Sequence, residues 1–234
     1  MFPPTEETVE QGSVSTTLTV AMITLDEEGA VEKVIRSIQA VVPDAEILLV
    51  DSSKDATPQI AESLGARVIR QFPPSGYGPA MSLALRSAAG DVVVTLDCDD
   101  TYPTELIPRL RDLVLDEGWD IVDGSRLYRK PDAMPLQNYL GNWLLSAVAS
   151  VLFARRLRDL HSGMRAYRKS VVEELHFNPK GAALPVELLL RPLKEGYRVH
   201  IVPIEYRFRI GESTMRPLET MKWSLLRILR VRLS

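Results

Sequence analysis

The residues best placed to do chemistry lie in Gly90-Asp-Val-Val-Val-Thr-Leu-Asp-Cys-Asp-Asp-Thr-Tyr-Pro-Thr104. Its apolar run, Val92 to Leu96, reads as a buried strand, and Asp97, Asp99 and Asp100 follow directly. Carboxylates crowded at a strand end, with no basic residue among them, repel one another unless a cation joins them. Hard oxygen donors of this kind suit Mg²⁺ or Mn²⁺, which keep several waters and also bind substrate phosphates. The stretch therefore reads as a divalent-metal site holding a diphosphate. The plainer alternative is that the aspartates cap the next helix, for which one would be enough.

Two further segments could contact a nucleotide. Asp51, in Val50-Asp-Ser-Ser-Lys-Asp55, ends another apolar run. It could accept a hydrogen bond from a base or ribose, or equally close an Asx-turn. Ser75-Gly-Tyr-Gly-Pro-Ala80 opens a helix. Gly76 and Gly78 allow close approach there, and a helix N-terminus favours phosphate. Met81 stands where a dinucleotide fingerprint needs Gly or Ala, and the chain has no Gly-Lys-Ser/Thr phosphate loop, which weakens dinucleotide and ATP readings. In the second half, Asp159-Leu-His-Ser-Gly-Met-Arg165 and Tyr206-Arg-Phe-Arg-Ile-Gly-Glu-Ser213 set arginine beside Gly and Ser, as does Gly124-Ser-Arg126. These are phosphate-binding types.

The elements that must position these residues follow from periodicity. Strands are expected at Leu18–Thr24, Ala45–Val50, Ala66–Ile69, Val92–Leu96 and Asp120–Gly124. Helices are expected at Ala30–Val41, Thr57–Leu64, Gly78–Ala89 and Glu105–Leu115. The alternation implies right-handed crossovers and a largely parallel sheet in an α/β domain. The 234 residues are 45% hydrophobic with net charge -3, so the composition is that of a globular chain with no nucleic-acid signature. Cys98 is the single cysteine, which excludes an internal disulfide and fits a reducing compartment. Between two aspartates on an alternating strand it should point into the core. Residues 1–17 read as a polar leader without signal-peptide character.

Two helices are unlike ordinary core helices. In the one expected at about 136–154, Asn138, Asn142, Ser146 and Ser150 recur every four residues as a narrow polar stripe on an otherwise apolar helix closed by Arg155, Arg156 and Arg158. Such a helix is either deeply buried or partly in lipid. The segment 216–234 combines Arg216, Lys222, Arg227, Arg230 and Arg232 with an apolar face and Trp223, the composition of a helix lying in a membrane surface. No stretch is long and apolar enough for a confident membrane span. The expected location is cytoplasmic and peripheral, on the cytoplasmic face of a membrane or against a membrane-embedded subunit.

Taken in order, Val50-Asp51 with Ser53 and Asp55, Gly76-Tyr-Gly78, Gly90-Asp91 leading to Asp97-Cys-Asp99, Ser125-Arg126, Asp159 with Ser162-Gly163 and Arg165, and Arg209 with Gly211 and Ser213 resemble the family 2 glycosyltransferases of the GT-A fold, and within them the polyprenyl-phosphate glycosyltransferases. The resemblance implies a Rossmann-like three-layer sandwich over 18–215, and inverting transfer of a hexose from a nucleotide sugar such as GDP-mannose or UDP-glucose to a dolichyl-type phosphate. It implies that Asp97, Asp99 and Thr101 engage Mg²⁺ or Mn²⁺. Thr24, Asp26, Glu28, Asp51, Gly76, Gly78, Asp97 and Asp99 then meet the nucleotide sugar. Arg126, Asn138, Asn142, Ser162, Arg165, Arg209 and Ser213 meet the acceptor, and Asp99, Arg126 and Arg209 act in catalysis. The chain departs from the pattern at Ile23-Thr-Leu-Asp-Glu27 and at Gly211-Glu-Ser-Thr-Met, which lacks the usual lysine. The nearest rival is an alcohol acceptor, which needs a carboxylate base such as Asp159 or Glu187. A nucleotidyltransferase and a non-catalytic binding subunit fit less well.

Overall fold

The computed structural model describes residues 17–211 and 217–234. Seven strands form one sheet: β1 (Leu18–Thr24), β2 (Glu46–Asp51), β3 (Arg67–Arg70), β4 (Val92–Thr95), β5 (Ile121–Ser125), β6 (Arg165–Arg168) and β7 (Val199–Pro203). Their order is β3-β2-β1-β4-β6-β5-β7, parallel except that β6 runs against both neighbours. The helices between them are α1 (Val31–Val41), α2 (Thr57–Ser63), α3 (Tyr77–Ser87), α4 (Ile107–Leu115), α5 (Leu136–Phe153), α6 (Lys169–Glu174), α7 (Leu184–Glu195) and α8 (Pro217–Leu233).

Strand alternation sorts the core into two layers. Val20 and Met22 of β1 and Val92 and Val94 of β4 face α1 and α4, whereas Ala21 and Val93 face α3 and α6. Cys98 is buried in the first of these layers, as the alternation requires. The expected elements of the first half are present within a residue or two. β6, α6, α7 and β7 were not expected, because their apolar residues are short runs interrupted by charge.

One such charge corrects an expectation. Arg165 is almost fully buried in β6, opposite Asp123 of β5. Its Nε donates to Asp123 Oδ1 at 2.6 Å and an Nη to the Pro185 carbonyl at 3.0 Å. Arg165 is thus an internal ion pair of the sheet, not an acceptor ligand.

A third cluster, at one end of the sheet, joins α5, α7 and α8 through Leu145, Ala149, Val186, Leu189, Ile228 and Val231. The inner face of α8 also carries Arg227, which pairs with the buried Glu187 of α7 and donates to the carbonyls of Asn178 and Lys180. Arg227 therefore braces the fold, and is not among the lipid-facing cations that its helix's composition suggested. Glu187 also accepts from Arg191 at 2.7 Å. Removing one partner from a buried ion network strands the other charges, so Glu187→Ala should cost about 3–5 kcal/mol in denaturant unfolding. Glu187→Gln, which keeps the shape and an acceptor, should cost clearly less.

Candidate active site

β1, β2 and β4 are parallel neighbours, so their C-terminal ends lie side by side at one edge of the sheet layer. Beyond β4, Leu96 and Cys98 stay in the core layer of Val92 and Val94, and Asp97 and Asp99 alternate with them along the chain. Asp99 is fixed by Thr101, whose backbone N–H and hydroxyl donate to Asp99 Oδ1 at 3.1 and 2.5 Å. Asp100, with φ of 64°, swings aside to pair with Lys33 at 2.5 Å and leaves the cluster. Gly163 closes over Asp97, where a β-carbon would lie 2.9 Å from Oδ1 and 3.0 Å from Oδ2.

Glu27, in the loop after β1, completes the acidic group. Burial first, and then the charge of Asp99, raise its pKa to about 7. Burial and Asp99 likewise push Asp97 above the usual carboxylate range. Arg209 is the cation facing them, with Nη2 3.4 Å from Asp99 Oδ2 and 3.7 Å from Glu27 Oε1. Among the described residues, no group of three or more His, Cys, Asp or Glu is arranged as a metal cage. The donor set of two strand-end carboxylates fits an ion that takes few protein ligands and fills its shell with water and phosphate oxygens, as Mg²⁺ does.

The other residues expected on the nucleotide side fall into distinct groups. Asp51 is buried at the end of β2 and accepts from Thr24 Oγ1 at 2.7 Å, from Ser53 Oγ at 2.6 Å, and from Arg70. Thr24 thus acts through Asp51. Asp26 and Glu28 accept from the backbone N–H groups of Lys54 and Ala56, so they tie the β1–α1 loop to the loop after β2. Gly76 has φ of 95°, a conformation that favours glycine. At Gly78 a β-carbon would lie 1.9 Å from the Pro179 carbonyl oxygen, so the α3 entrance is held against the 178–181 loop by absence of a side chain. Burial and then the charge of Asp97 push the pKa of Tyr77 up, which sets this entrance beside the carboxylates.

On the other side of the carboxylates lies a buried ionic network. Arg126 grips Asp159 with two nitrogens, Nε at 2.7 Å and Nη2 at 2.9 Å, and lies 5.0 Å from the ring centre of Tyr206. Burial alone would raise the Asp159 pKa, but the Arg126 charge and hydrogen bonds hold it well below the usual range. Asn142 donates to Asp159 at 2.6 Å. His161 bridges Asn142 Oδ1, 3.2 Å from Nδ1, and Ser224 Oγ of α8, 2.7 Å from Nε2. Because Asn142 Oδ1 can only accept, the ring proton belongs on Nδ1 and Ser224 donates to Nε2. A pocket of about 90 Å³ opens here, lined by Arg126, Asn138, Asn142, His161, Tyr206 and Met221 among others. Asn138 Oδ1 is buried and has no hydrogen-bond partner among the described residues. Ser162 is buried too, its hydroxyl likewise without a partner. Ser213 lies outside the described residues.

The model of glycosyl transferase family 2 matches residues 19–176. The chain belongs to that family. The glycosyltransferase is 42% identical over 201 residues to a dolichyl-phosphate hexose transferase of Haloferax volcanii, covering 86% of this chain and 87% of that one. It is 32% identical over 184 residues to a dolichol-phosphate mannosyltransferase of Pyrococcus furiosus, covering 73% of this chain and 51% of the relative. In structure it resembles the glucosyl-3-phosphoglycerate synthase of Mycobacterium tuberculosis in complex with Mn²⁺, UDP and glucosyl-3-phosphoglycerate, with TM-score 0.74, 25% identity, and 93% and 80% of the two chains covered. The sheet and its flanking helices are those of GT-A glycosyltransferases.

The glycosyltransferase turns the stripe of α5 inward. Asn142 and Ser146 are buried, while Leu136, Leu140, Trp143, Leu144 and Val151 face outward. Alongside, α8 exposes Trp223, Leu225, Leu226, Leu229 and Leu233. No described helix is long and apolar enough to cross a membrane. Sequence reasoning missed Glu27, Tyr102, Tyr206 and His161 as site residues. Glu27 was visible as one acid in a run of three, but only the fold separates it from Asp26 and Glu28. Burial lowers the His161 pKa from 6.5 to about 4. A buried neutral imidazole stabilises the fold fully above about pH 6.5, and that contribution is lost as pH falls toward 4. Urea unfolding from pH 7 to pH 4 should therefore lose on the order of 2–3 kcal/mol more in the wild type than in His161→Gln.

Proposed function

We propose that this glycosyltransferase moves a hexose, with inversion, from a nucleotide sugar to a polyprenyl phosphate at the cytoplasmic face of a membrane. The observation that carries the acceptor is the reversed amphipathicity of α5. Its polar stripe meets the Arg126 network and its apolar side faces out, so an acceptor pocket lies directly under a lipid-compatible surface. A long-chain phosphate could keep its tail along α5 and α8 while its head enters beside Arg126 and Asn138. The similarity to the dolichyl-phosphate hexose transferase points the same way.

The donor diphosphate binds between the α3 entrance and the strand-end carboxylates. Asp97 and Asp99 would hold a divalent cation, which when bound would supply charge neutralisation for the leaving nucleoside diphosphate. Thr101 keeps Asp99 in a single orientation, and Arg209 supplies positive charge on the open side. A phosphate acceptor is already anionic at neutral pH and needs no general base. Positioning and electrostatics then supply most of the acceleration. The two carboxylates named above as bases for an alcohol acceptor are each held by other groups. Asp159 is locked to Arg126 and Asn142, and Glu187 to Arg191 and Arg227.

The test is a transfer assay with Mg²⁺ or Mn²⁺, a polyprenyl phosphate, and labelled GDP-mannose or UDP-glucose, counting label in the organic phase. Metal-dependent extractable label is expected. Asp99→Ala should lower it by about 10²-fold or more, with an unchanged circular dichroism spectrum. Label passing to a soluble alcohol instead, or near-normal turnover in Asp99→Ala, would overturn the reading.

A further inference from the structure

The other side of α5 carries a second concavity, of about 230 Å³, which shares no lining residue with the acceptor pocket. Its walls include Tyr128, Tyr139, Trp143, Arg156, Leu157 and Arg158, and none of its lining residues is acidic. The Arg158 guanidinium lies over the Tyr128 ring, 4.6 Å from its centre. Neither Arg156 nor Arg158 has a carboxylate partner among the described residues. Arginines after a helix are favoured by the helix dipole, which accounts for their charge. It does not account for three aromatic side chains framing them in a hollow.

We propose that this hollow binds the phosphate of an anionic membrane phospholipid, a site separate from that of the reacting lipid. The proposal rests on the reading that the enzyme works at a membrane, and adds a headgroup site to it. Two unpaired guanidinium groups in a concave wall without acids call for an anion, and arginine recognises phosphate through paired N–H donors. The position names its source. Trp143, which lines the hollow, is 56% exposed, and Leu144 and Val151 beside it on α5 are 51% and 82% exposed. If those side chains rest among acyl chains, Arg156 and Arg158 stand at the level of the headgroup phosphates, where arginine reaches outward and Trp and Tyr concentrate. A soluble anion would have no use for that apolar border. The site would orient the enzyme on the surface and make anionic lipid part of its working environment.

The experiment follows the Trp143 indole N–H by NMR, assigned through its loss in Trp143→Phe, during titration of the whole chain with dihexanoyl phosphatidylglycerol below its micelle concentration. A saturating shift is expected. It should weaken at least about tenfold in Arg156→Gln/Arg158→Gln, but less than about threefold in Arg230→Gln/Arg232→Gln, which removes the same charge elsewhere. An equal response to dihexanoyl phosphatidylcholine would overturn the anion requirement. An equal response to glycerol phosphate would overturn the lipid source. Both comparisons use the wild type, so they hold even if a variant fails to fold. Vesicle sedimentation and the transfer assay run alongside. Vesicle binding and transfer without any Trp143 response overturn the headgroup site alone, whereas loss of both overturns the membrane reading with it.

Discussion

A guanidinium and a carboxylate taken out of water together are tolerable only if their remaining donors and acceptors are satisfied. For Arg126 and Asp159 the satisfying groups come from several elements at once. Arg126 follows β5, and its Nη1 lies 3.3 Å from the Tyr102 hydroxyl. That hydroxyl accepts from the backbone of Gly163, the residue packed on Asp97. Asp159 in turn accepts from Asn142 of α5 and from the backbone of His161, and His161 reaches α8. The pair is therefore the point through which the sheet, the 159–165 loop and both apolar helices are held in one relation. Its position on the wall of the pocket lined by Asn138, Asn142 and Tyr206 means that the same contacts hold the fold and shape that pocket.

The acidic cluster shows the opposite economy. Glu27 and Asp97 are held where burial and the charge of Asp99 oppose their ionisation, and the cations Arg209, beside Glu27, and Arg126 with Arg209, beside Asp97, only partly offset this. Groups kept at such a disadvantage are typical of sites that gain their balance from a ligand.

Much of this was legible in the sequence because it depended on local pattern. Apolar alternation located β1, β2 and β4, and the Asp97-Cys-Asp99 spacing announced a polar face opposite a core cysteine. The four-residue repeat from Asn138 marked α5 as unusual. What pattern could not give was direction. The stripe of α5 could have faced water or protein, and only the Arg126 network decides that it faces protein. Arg126, Arg165 and Arg227 look alike in sequence as basic residues in polar surroundings. Long-range pairing with Asp159, Asp123 and Glu187 makes each of them internal, and partners 33, 42 and 40 residues away leave no local trace. Short β6 and β7 were invisible for a related reason, since their place in the sheet comes from neighbours rather than from their own composition.

The C-terminal helix has two occupations. Trp223 and Leu226 point away from the protein, whereas Ser224 and Arg227, one step further along the chain from each, point into it. Arg227 holds the carbonyls of the 178–181 segment, whose other side presses on Gly78, and Ser224 holds His161. Anyone wishing to make a better-behaved protein for crystals or screening would be drawn to trim α8, because it contributes so much exposed apolar surface. That trimming would remove in one cut the props of both the α3 entrance and the pocket beside Arg126. Solubility has to be sought by replacing outward residues one at a time, leaving the inward register of the helix intact.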